Sequence, residues 1–147
     1  MTDARAAAPA AVLSGAMRDA IVDHARRALP NEACGLIAGD ASFEAGGRAT
    51  RWLPARNVLA SPYRYELHPE DLVRLTLEIE AAGEVIWAIV HSHVASPARP
   101  SATDLRGYAN PGALIVIAAL GTGAAAAELR AWRVAAAEAT EVELAVG

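Results

Sequence analysis

Residues 85–104, VIWAIVHSHVASPARPSATD, join an apolar segment to two histidines, a serine and an aspartate. The first six of them, 85–90, are apolar without alternation, which is typical of a strand that is covered on both faces and is therefore central in its sheet. His91 and His93 follow directly, and because side chains alternate along a strand, both should point to the same face. The segment thus predicts a central strand that ends in two imidazoles on one face.

The two histidines begin an H-x-H pattern that continues, after seven residues, with Ser101 and Asp104 in S-x-x-D. Two neutral imidazoles and a carboxylate that a loop brings round to them form a three-ligand zinc site. Three protein ligands leave one tetrahedral position open for water, which is typical of a catalytic zinc ion. The alternative is a pair of strand-end histidines that bond to carboxylates, but the added S-x-x-D spacing favours metal ligation by His91, His93 and Asp104.

The 147 residues suffice for one domain with its own core. We predict a flexible N-terminal tail over residues 1–12 and a single domain over residues 13–147. A net charge of -4 without a basic run argues against nucleic acid as a partner. The longest apolar run, residues 113–120, is too short to span a bilayer, and the first residues lack the pattern of a signal peptide. With a single cysteine, Cys34, these features predict a cytoplasmic protein without a membrane partner.

Local patterns predict a mixed β-sheet with flanking helices, hence an α/β class. One helix should follow the cap residue Ser14 and run to Leu29, and a second should run from Pro69 to Gly83. A short helix should run from Ser101, as its N-cap, to about Tyr108. Strands other than the central one are predicted at residues 33–38, 48–57, 63–67, 113–120, 128–134 and 141–146. In the second helix, the residues expected to face the core are Leu72, Leu75, Leu77 and Ile79.

A zinc-bound water needs a base to take its proton, and the HExxH helix that carries its own glutamate is absent from this sequence. Glu32 is the candidate, because it stands between a helix that ends at Pro30 and the apolar strand at residues 33–38. A carboxylate at the entry to a buried strand is costly without a partner, and a zinc-bound water is such a partner. Residue type and place alone leave open that Glu32 is a solvated loop acid. We expect Cys34 to be a small buried hydrophobe rather than a nucleophile.

Glu32 in NEACGL, then HSH, then S-x-x-D, resembles the JAMM (MPN-plus) zinc metallopeptidase family. The likeness covers nearly the whole chain, from RDAIVDHARRALP through NVLASPYRYELHPEDL to ALIVIAAL, and it is greatest to the small bacterial stand-alone members. The resemblance implies a cytidine-deaminase-like JAMM/MPN fold. One departure is Val94, where many members carry proline, and it affects the stiffness of the loop rather than ligation.

The resemblance also implies roles for single residues. His91, His93 and Asp104 would hold Zn2+, Glu32 would be the general acid and base, and Ser101 would stabilise the oxyanion of the tetrahedral intermediate. Ser101 has a rival role as a plain helix N-cap, and the two roles are compatible in part, because one hydroxyl can donate to an oxyanion while it accepts from a backbone N–H.

Family members cut the bond after a Gly-Gly tail, so the resemblance implies a hydrolase of the peptide or isopeptide bond after the C-terminal Gly-Gly of a ubiquitin-like or sulfur-carrier protein. A nucleoside deaminase of related fold is excluded, because it needs a P-C-x-x-C zinc half-site and the chain has one cysteine. A non-catalytic MPN-type zinc-binding scaffold is the alternative, although every ligand is present. The sequence leaves open the released group and the oligomeric state, with a homodimer as one alternative.

Overall fold

The computed structural model describes residues 9–121 and 126–147. Its elements are, in chain order, β1 (Ala11–Leu13), α1 (Gly15–Ala28), β2 (Cys34–Gly39), a 3-10 turn (Phe43–Ala45), β3 (Ala49–Ala55), α2 (Pro69–Ala81), β4 (Val85–His93), α3 (Ala102–Arg106), β5 (Leu114–Ala119), β6 (Glu128–Ala135), β7 (Glu138–Val142) and β8 (Leu144–Val146). No helix within the described ranges is both long and apolar enough to cross a membrane.

Strands β2 to β7 form one mixed sheet in the order β3-β2-β4-β5-β6-β7. Strands β4 and β5 run parallel, whereas the other neighbouring pairs of this sheet are antiparallel. The predicted mixed sheet with flanking helices is therefore confirmed. Strand β4 is internal, and its residues 87–93 are all buried, as the unbroken apolar sequence indicates.

Helices α1 and α2 contribute to two different cores on the two faces of the sheet. Ile37 of β2 belongs to the core that contains Ile21 of α1, whereas the preceding Leu36 belongs to the core that contains Leu75 of α2. Neighbouring strand residues separate in this way because their side chains alternate between faces. Ile89 of β4 belongs to the α2 core, so the two histidines that follow at even spacing lie on the α2 face.

Helix α2 buries a narrower stripe than its sequence predicts. Leu75 and Ile79 are buried as expected, but Leu72 and Leu77 are 42% and 59% exposed, so their predicted place in the core is wrong. The buried positions are spaced by four residues, beginning with Asp71, so one narrow side of the helix packs against the sheet. The helix ends before Gly83, whose φ of +69° is the left-handed conformation that glycine adopts without strain.

The predicted strand over residues 63–67 is wrong. An isolated bridge between Asn57 and Leu67 forms there instead. The backbone N–H groups of Leu59 and Glu66 both donate to the side-chain oxygen of Asn57, at 3.1 Å each. A polar side chain that bonds the backbone locally competes with a strand ladder, which explains why the alternating sequence becomes a loop.

Both ends of the chain depart from their predictions. Most of the expected tail, residues 1–8, lies outside the described residues, but Ala11 and Val12 belong to β1 rather than to a tail. Strand β1 pairs in parallel with β8, with Ala11 opposite Leu144. The single strand predicted over residues 141–146 is divided, because β7 ends at Val142 and the next three-residue strand leaves the main sheet to pair with β1.

Candidate metal centre and active site

Three buried side chains converge at the end of β4. The Nε2 atoms of His91 and His93 are 3.2 Å apart. Oδ2 of Asp104, which α3 supplies, lies 3.1 Å from the first nitrogen and 3.2 Å from the second. Among the described residues, these three have donor atoms that are close enough together to share a metal ion. The structure thus brings together the three ligands that the sequence predicts.

The donor set fits a tetrahedral metal ion. Ligand atoms about 2.0 Å from a central ion stand roughly 3.3 Å apart along a tetrahedral edge, close to the three observed separations. Nδ1 of His93 lies 2.6 Å from the carbonyl oxygen of Pro97, and a carbonyl only accepts, so this nitrogen carries the proton. In the neutral ring, Nε2 then carries no proton, and its lone pair faces the carboxylate oxygen of Asp104. Two acceptors at this distance repel each other unless a cation lies between them, either a metal ion or, in the metal-free site, a proton that makes Nε2 a hydrogen-bond donor to Asp104.

Asp104 is fixed by the start of its own helix. Its Oδ2 accepts from the backbone N–H of Ser101 at 2.8 Å, and its own N–H donates to Oγ of Ser101 at 3.0 Å. This reciprocal pair is a capping box, so the predicted N-cap role of Ser101 is confirmed. Burial by itself would raise the pKa of Asp104, but the hydrogen bonds from His91 and His93 outweigh it and hold that pKa far below its ordinary value. The carboxylate is therefore ionised, as a metal ligand requires.

The two histidines are oriented by different contacts. The ring of His93 is held by its bond to Pro97, in a loop that Trp132 anchors by donating its indole N–H to the carbonyl of Ala98 at 2.9 Å. The ring of His91 stacks on that of Tyr65, with centroids 4.4 Å apart, and its Nδ1 has no hydrogen-bond partner among the described residues. Burial lowers the pKa of His91, which favours the neutral, ligating form.

Glu32 lies beside the histidines, as the extension of the β2–β4 pairing shows. Cys34 is opposite His91 in this antiparallel register, so Glu32 stands opposite His93 and its side chain lies on the same face. Glu32 is 4% exposed, and its Oε1 has no hydrogen-bond partner within the described part of the chain. This burial excludes a solvated loop acid.

Burial also changes the acidity of this carboxyl. It raises the pKa of Glu32 from 4.5 to about 7; the charge of His93 opposes the shift and that of Asp104 adds to it. A group with a pKa near neutrality can both accept and deliver a proton at physiological pH. Cys34, by contrast, is a buried thiol whose pKa burial raises to about 12, which agrees with the expected inert hydrophobe.

Three residues around the site were not predicted from the sequence. Tyr65 has no predicted role beyond its place in the expected strand over residues 63–67, yet it stacks on His91. Asn57 bonds the carbonyl of Glu32 at 3.0 Å, and Ser92 accepts from the N–H of Ala33 at 2.8 Å. Ser92 is the middle residue of the H-x-H pattern, and this position is the sequence feature that could have indicated its place beside the site. Residues 63–67, YRYEL, alternate as a strand does. This pattern therefore did not indicate that Tyr65 lies in a loop beside the site.

Residues 14–135 match the Prok-JAB family, described as prokaryotic homologs of the JAB domain. The chain belongs to this family. It is 38% identical over 106 residues to the CysO-cysteine peptidase of Mycobacterium tuberculosis, covering 72% of this chain and 70% of that protein. It is also 38% identical over 110 residues to a desampylase of Haloferax volcanii, covering 71% and 77% of the two chains. The resemblance to JAMM proteins is thereby confirmed, and the names of these Prok-JAB relatives agree with the predicted metallopeptidase.

The fold is likewise that of known JAB proteins. A JAB1/MPN domain protein from Archaeoglobus fulgidus superimposes with a TM-score of 0.58 over 93% of this chain and 99% of that one. Its sequence is 20% identical, so this likeness concerns the fold alone. The predicted JAMM/MPN fold is confirmed.

Proposed function

We propose that this Prok-JAB protein is a zinc-dependent hydrolase that cuts the peptide or isopeptide bond after the C-terminal Gly-Gly of a ubiquitin-like or sulfur-carrier protein. The observation that carries the proposal is the convergence of three buried metal-ligand side chains with a buried glutamate on one face at the end of β4. The names of two relatives, a CysO-cysteine peptidase and a desampylase, support a conjugate of a small carrier protein as the substrate.

The proposed chemistry divides among the metal ligands, the metal ion, Glu32 and Ser101. His91, His93 and Asp104 would hold the metal ion. A zinc ion bound there supplies Lewis acidity and makes water more acidic. Glu32, whose pKa is raised to about 7, accepts a proton from the attacking water and returns it to the leaving amine.

Ser101 is proposed to donate to the oxyanion that forms at the scissile carbonyl. Its Oγ accepts from the N–H of Asp104 at 3.0 Å, so the proton of the hydroxyl is free to be donated elsewhere. Ser101 is exposed at the edge of the site, where a substrate can reach it. A hydrogen-bond donor at this point stabilises negative charge that is present in the transition state.

The tail specificity is proposed from the two loops beside the centre. Residues 59–65 include the Tyr65 that stacks on His91, and residues 94–100 include the Pro97 that holds His93. A tail that passes between these loops must approach both backbones closely, and glycine, which has no side chain, allows this. An extended tail can also add backbone hydrogen bonds as an extra strand.

A paired substrate test decides the proposal. One carrier protein has a single amino acid joined after Gly-Gly, and its counterpart has Ala-Ala before the same bond. Mass spectrometry should show release of the amino acid from the Gly-Gly substrate, loss of release with a chelator, and its return with zinc. Equal cleavage of both substrates would overturn the tail specificity. Cleavage of neither, with the metal bound, would favour the non-catalytic scaffold.

A further inference from the structure

The side chain of Asn57 uses all of its hydrogen-bonding capacity in one small region. Its Nδ2 donates to the carbonyl oxygens of Glu32 and Arg64, at 3.0 Å each. Its Oδ1 accepts from the N–H groups of Leu59 and Glu66, at 3.1 Å each. A carboxamide has two N–H donors and one oxygen with two lone pairs, so no capacity is left over. Asn57 therefore closes the loop of residues 58–66 and ties this loop to Glu32.

The backbone of Glu32 is held at both of its polar groups by this same region. Its N–H donates to the carbonyl of Ser61 at 2.8 Å, and its carbonyl accepts from Asn57. Strand β2 begins at Cys34, so Glu32 lies just before the strand, and both of these backbone hydrogen bonds are made to the loop rather than to β4. The loop therefore supplies the backbone hydrogen bonds of Glu32, whereas the neighbouring strands supply those of the β2 residues.

The loop also reaches the metal ligands. Tyr65, which follows the Arg64 that Asn57 bonds, stacks on the ring of His91. One loop thus contacts the residue that would move the proton and a residue that would hold the metal ion. A change in the loop would alter the distance between them, and displacement of a reacting group by about 1 Å can cost on the order of 100-fold in rate.

We propose that Asn57 is a positioning residue for proton transfer: through the carbonyl of Glu32 and the closed loop of residues 58–66, it fixes the Glu32 carboxylate relative to His91, His93 and Asp104. The inference rests on the proposed function, in which Glu32 moves the proton. Asn57 is not one of the three proposed ligands, so its removal should lower the kcat of the zinc-saturated protein, which still carries one zinc ion per chain.

Two variants separate the contacts of Asn57. Asn57→Asp keeps the oxygen that accepts from Leu59 and Glu66 but loses the donors to Glu32 and Arg64, whereas Asn57→Ala loses all four bonds. Asp40→Ala is the matched control, because Asp40 closes the β2–β3 connection by accepting from the N–H of Arg48 at 2.7 Å, away from the site. Both Asn57 variants should lower kcat by about 10–100-fold, with zinc content and KM within about twofold of wild type, while Asp40→Ala keeps wild-type kcat.

Hydrogen exchange supplies a readout that does not depend on activity. In the zinc-loaded protein, the amide of Glu32 should exchange at least about tenfold faster in Asn57→Asp than in wild type or Asp40→Ala, because it is bonded to the loop that Asn57 closes. If Asn57→Ala does not fold, Asn57→Asp decides alone. If both fold, a loss of kcat in Asn57→Asp but not in neutral Asn57→Ala would indicate an effect of the new charge and would overturn the proposal.

The remaining outcomes distinguish this inference from the function on which it rests. Wild-type kcat in Asn57→Asp, together with an inactive Glu32→Gln, would overturn the positioning role and leave the hydrolase intact. Full activity in Glu32→Gln would overturn the proposed role of Glu32 itself. A loss of kcat in Asp40→Ala equal to that in Asn57→Asp, at equal melting temperatures, would show that general stability rather than positioning is responsible.

Discussion

The ring of Tyr65 lies nearly parallel to that of His91, with an angle of 16° between the planes and 4.4 Å between the centroids. Metal-ligating histidines usually donate their second nitrogen to a carboxylate, a carbonyl or water, which fixes the ring. His93 follows this rule through Pro97, but Nδ1 of His91 has no such partner among the described residues. Stacking is therefore the contact that holds the plane of His91.

We expect Tyr65→Ala to weaken zinc binding by about 10–100-fold, the usual effect of losing a group that orients a ligand. Tyr65→Phe keeps the stacked ring and should keep the affinity within about threefold. Competition of each purified variant with a chromophoric chelator measures the dissociation constants. An unchanged zinc affinity in Tyr65→Ala would show that the stack does not orient His91.

The candidate metal centre was predictable because its residues follow local rules. His91 and His93 share a face through strand alternation, and Ser101 and Asp104 are spaced as a helix start. The face to which Glu32 points, by contrast, depends on the register of β2 against β4, which pairs residues far apart in sequence. Its role therefore came from family resemblance, whereas the structure supplies the geometric reason.

The errors arise where distant or side-chain contacts override a local pattern. Residues 63–67 alternate as a strand does, but the side chain of Asn57 takes the backbone groups that a ladder would use. Ala11 and Val12 look like part of a tail, yet they pair with β8 at the other end of the chain. Neither partnership leaves a periodic signal in the sequence.

Metal analysis should find one zinc ion per chain in the wild-type protein and a small fraction of that in His91→Ala or His93→Ala. Each substitution removes one of three ligands and leaves the other two unable to complete the site. His68→Ala is the matched control, because His68 caps α2 by accepting from the N–H of Glu70. Full zinc content in the His91 and His93 variants would refute the ligand assignment.

Ser101→Ala separates the two roles of its hydroxyl. Loss of the cap on α3 should cost about 1 kcal/mol of stability. Loss of an oxyanion donor should lower kcat by about 10²–10³-fold. Ser14→Ala removes a comparable cap, which accepts from Met17 at 3.1 Å on α1. We expect both variants to melt at lower temperature and Ser101→Ala alone to lose turnover; nearly intact turnover in Ser101→Ala would reduce its role to the cap.

Glu32→Gln should lower activity by roughly 10²–10⁴-fold, because the amide keeps the shape of the carboxyl and cannot transfer its proton. Zinc content should stay at the wild-type level, since Glu32 is not one of the three ligands. Steady-state kinetics and metal analysis on the same preparation test both statements. A near wild-type rate would remove Glu32 from the mechanism.

The raised pKa of Glu32 also predicts how the stability of the metal-free protein depends on pH. The pKa rises from 4.5 in the unfolded chain to about 7 in the folded one, chiefly through burial. Below the lower value both states are protonated and the shift has no effect. Between the two values the unfolded chain ionises first, so folding becomes less favourable as pH rises, and above the upper value the cost is constant.

Glu32→Gln carries no charge in either state and should escape this cost. Metal-free Glu32→Gln should therefore gain stability relative to wild type as pH rises, by on the order of 1 kcal/mol or more. Urea unfolding of both proteins at about pH 5 and about pH 8 measures the change. The gain should diminish when zinc is added to wild type, because a cation beside Glu32 favours its ionised form. A stability difference that is the same at both pH values would mean that the carboxyl of Glu32 is not desolvated in the folded protein.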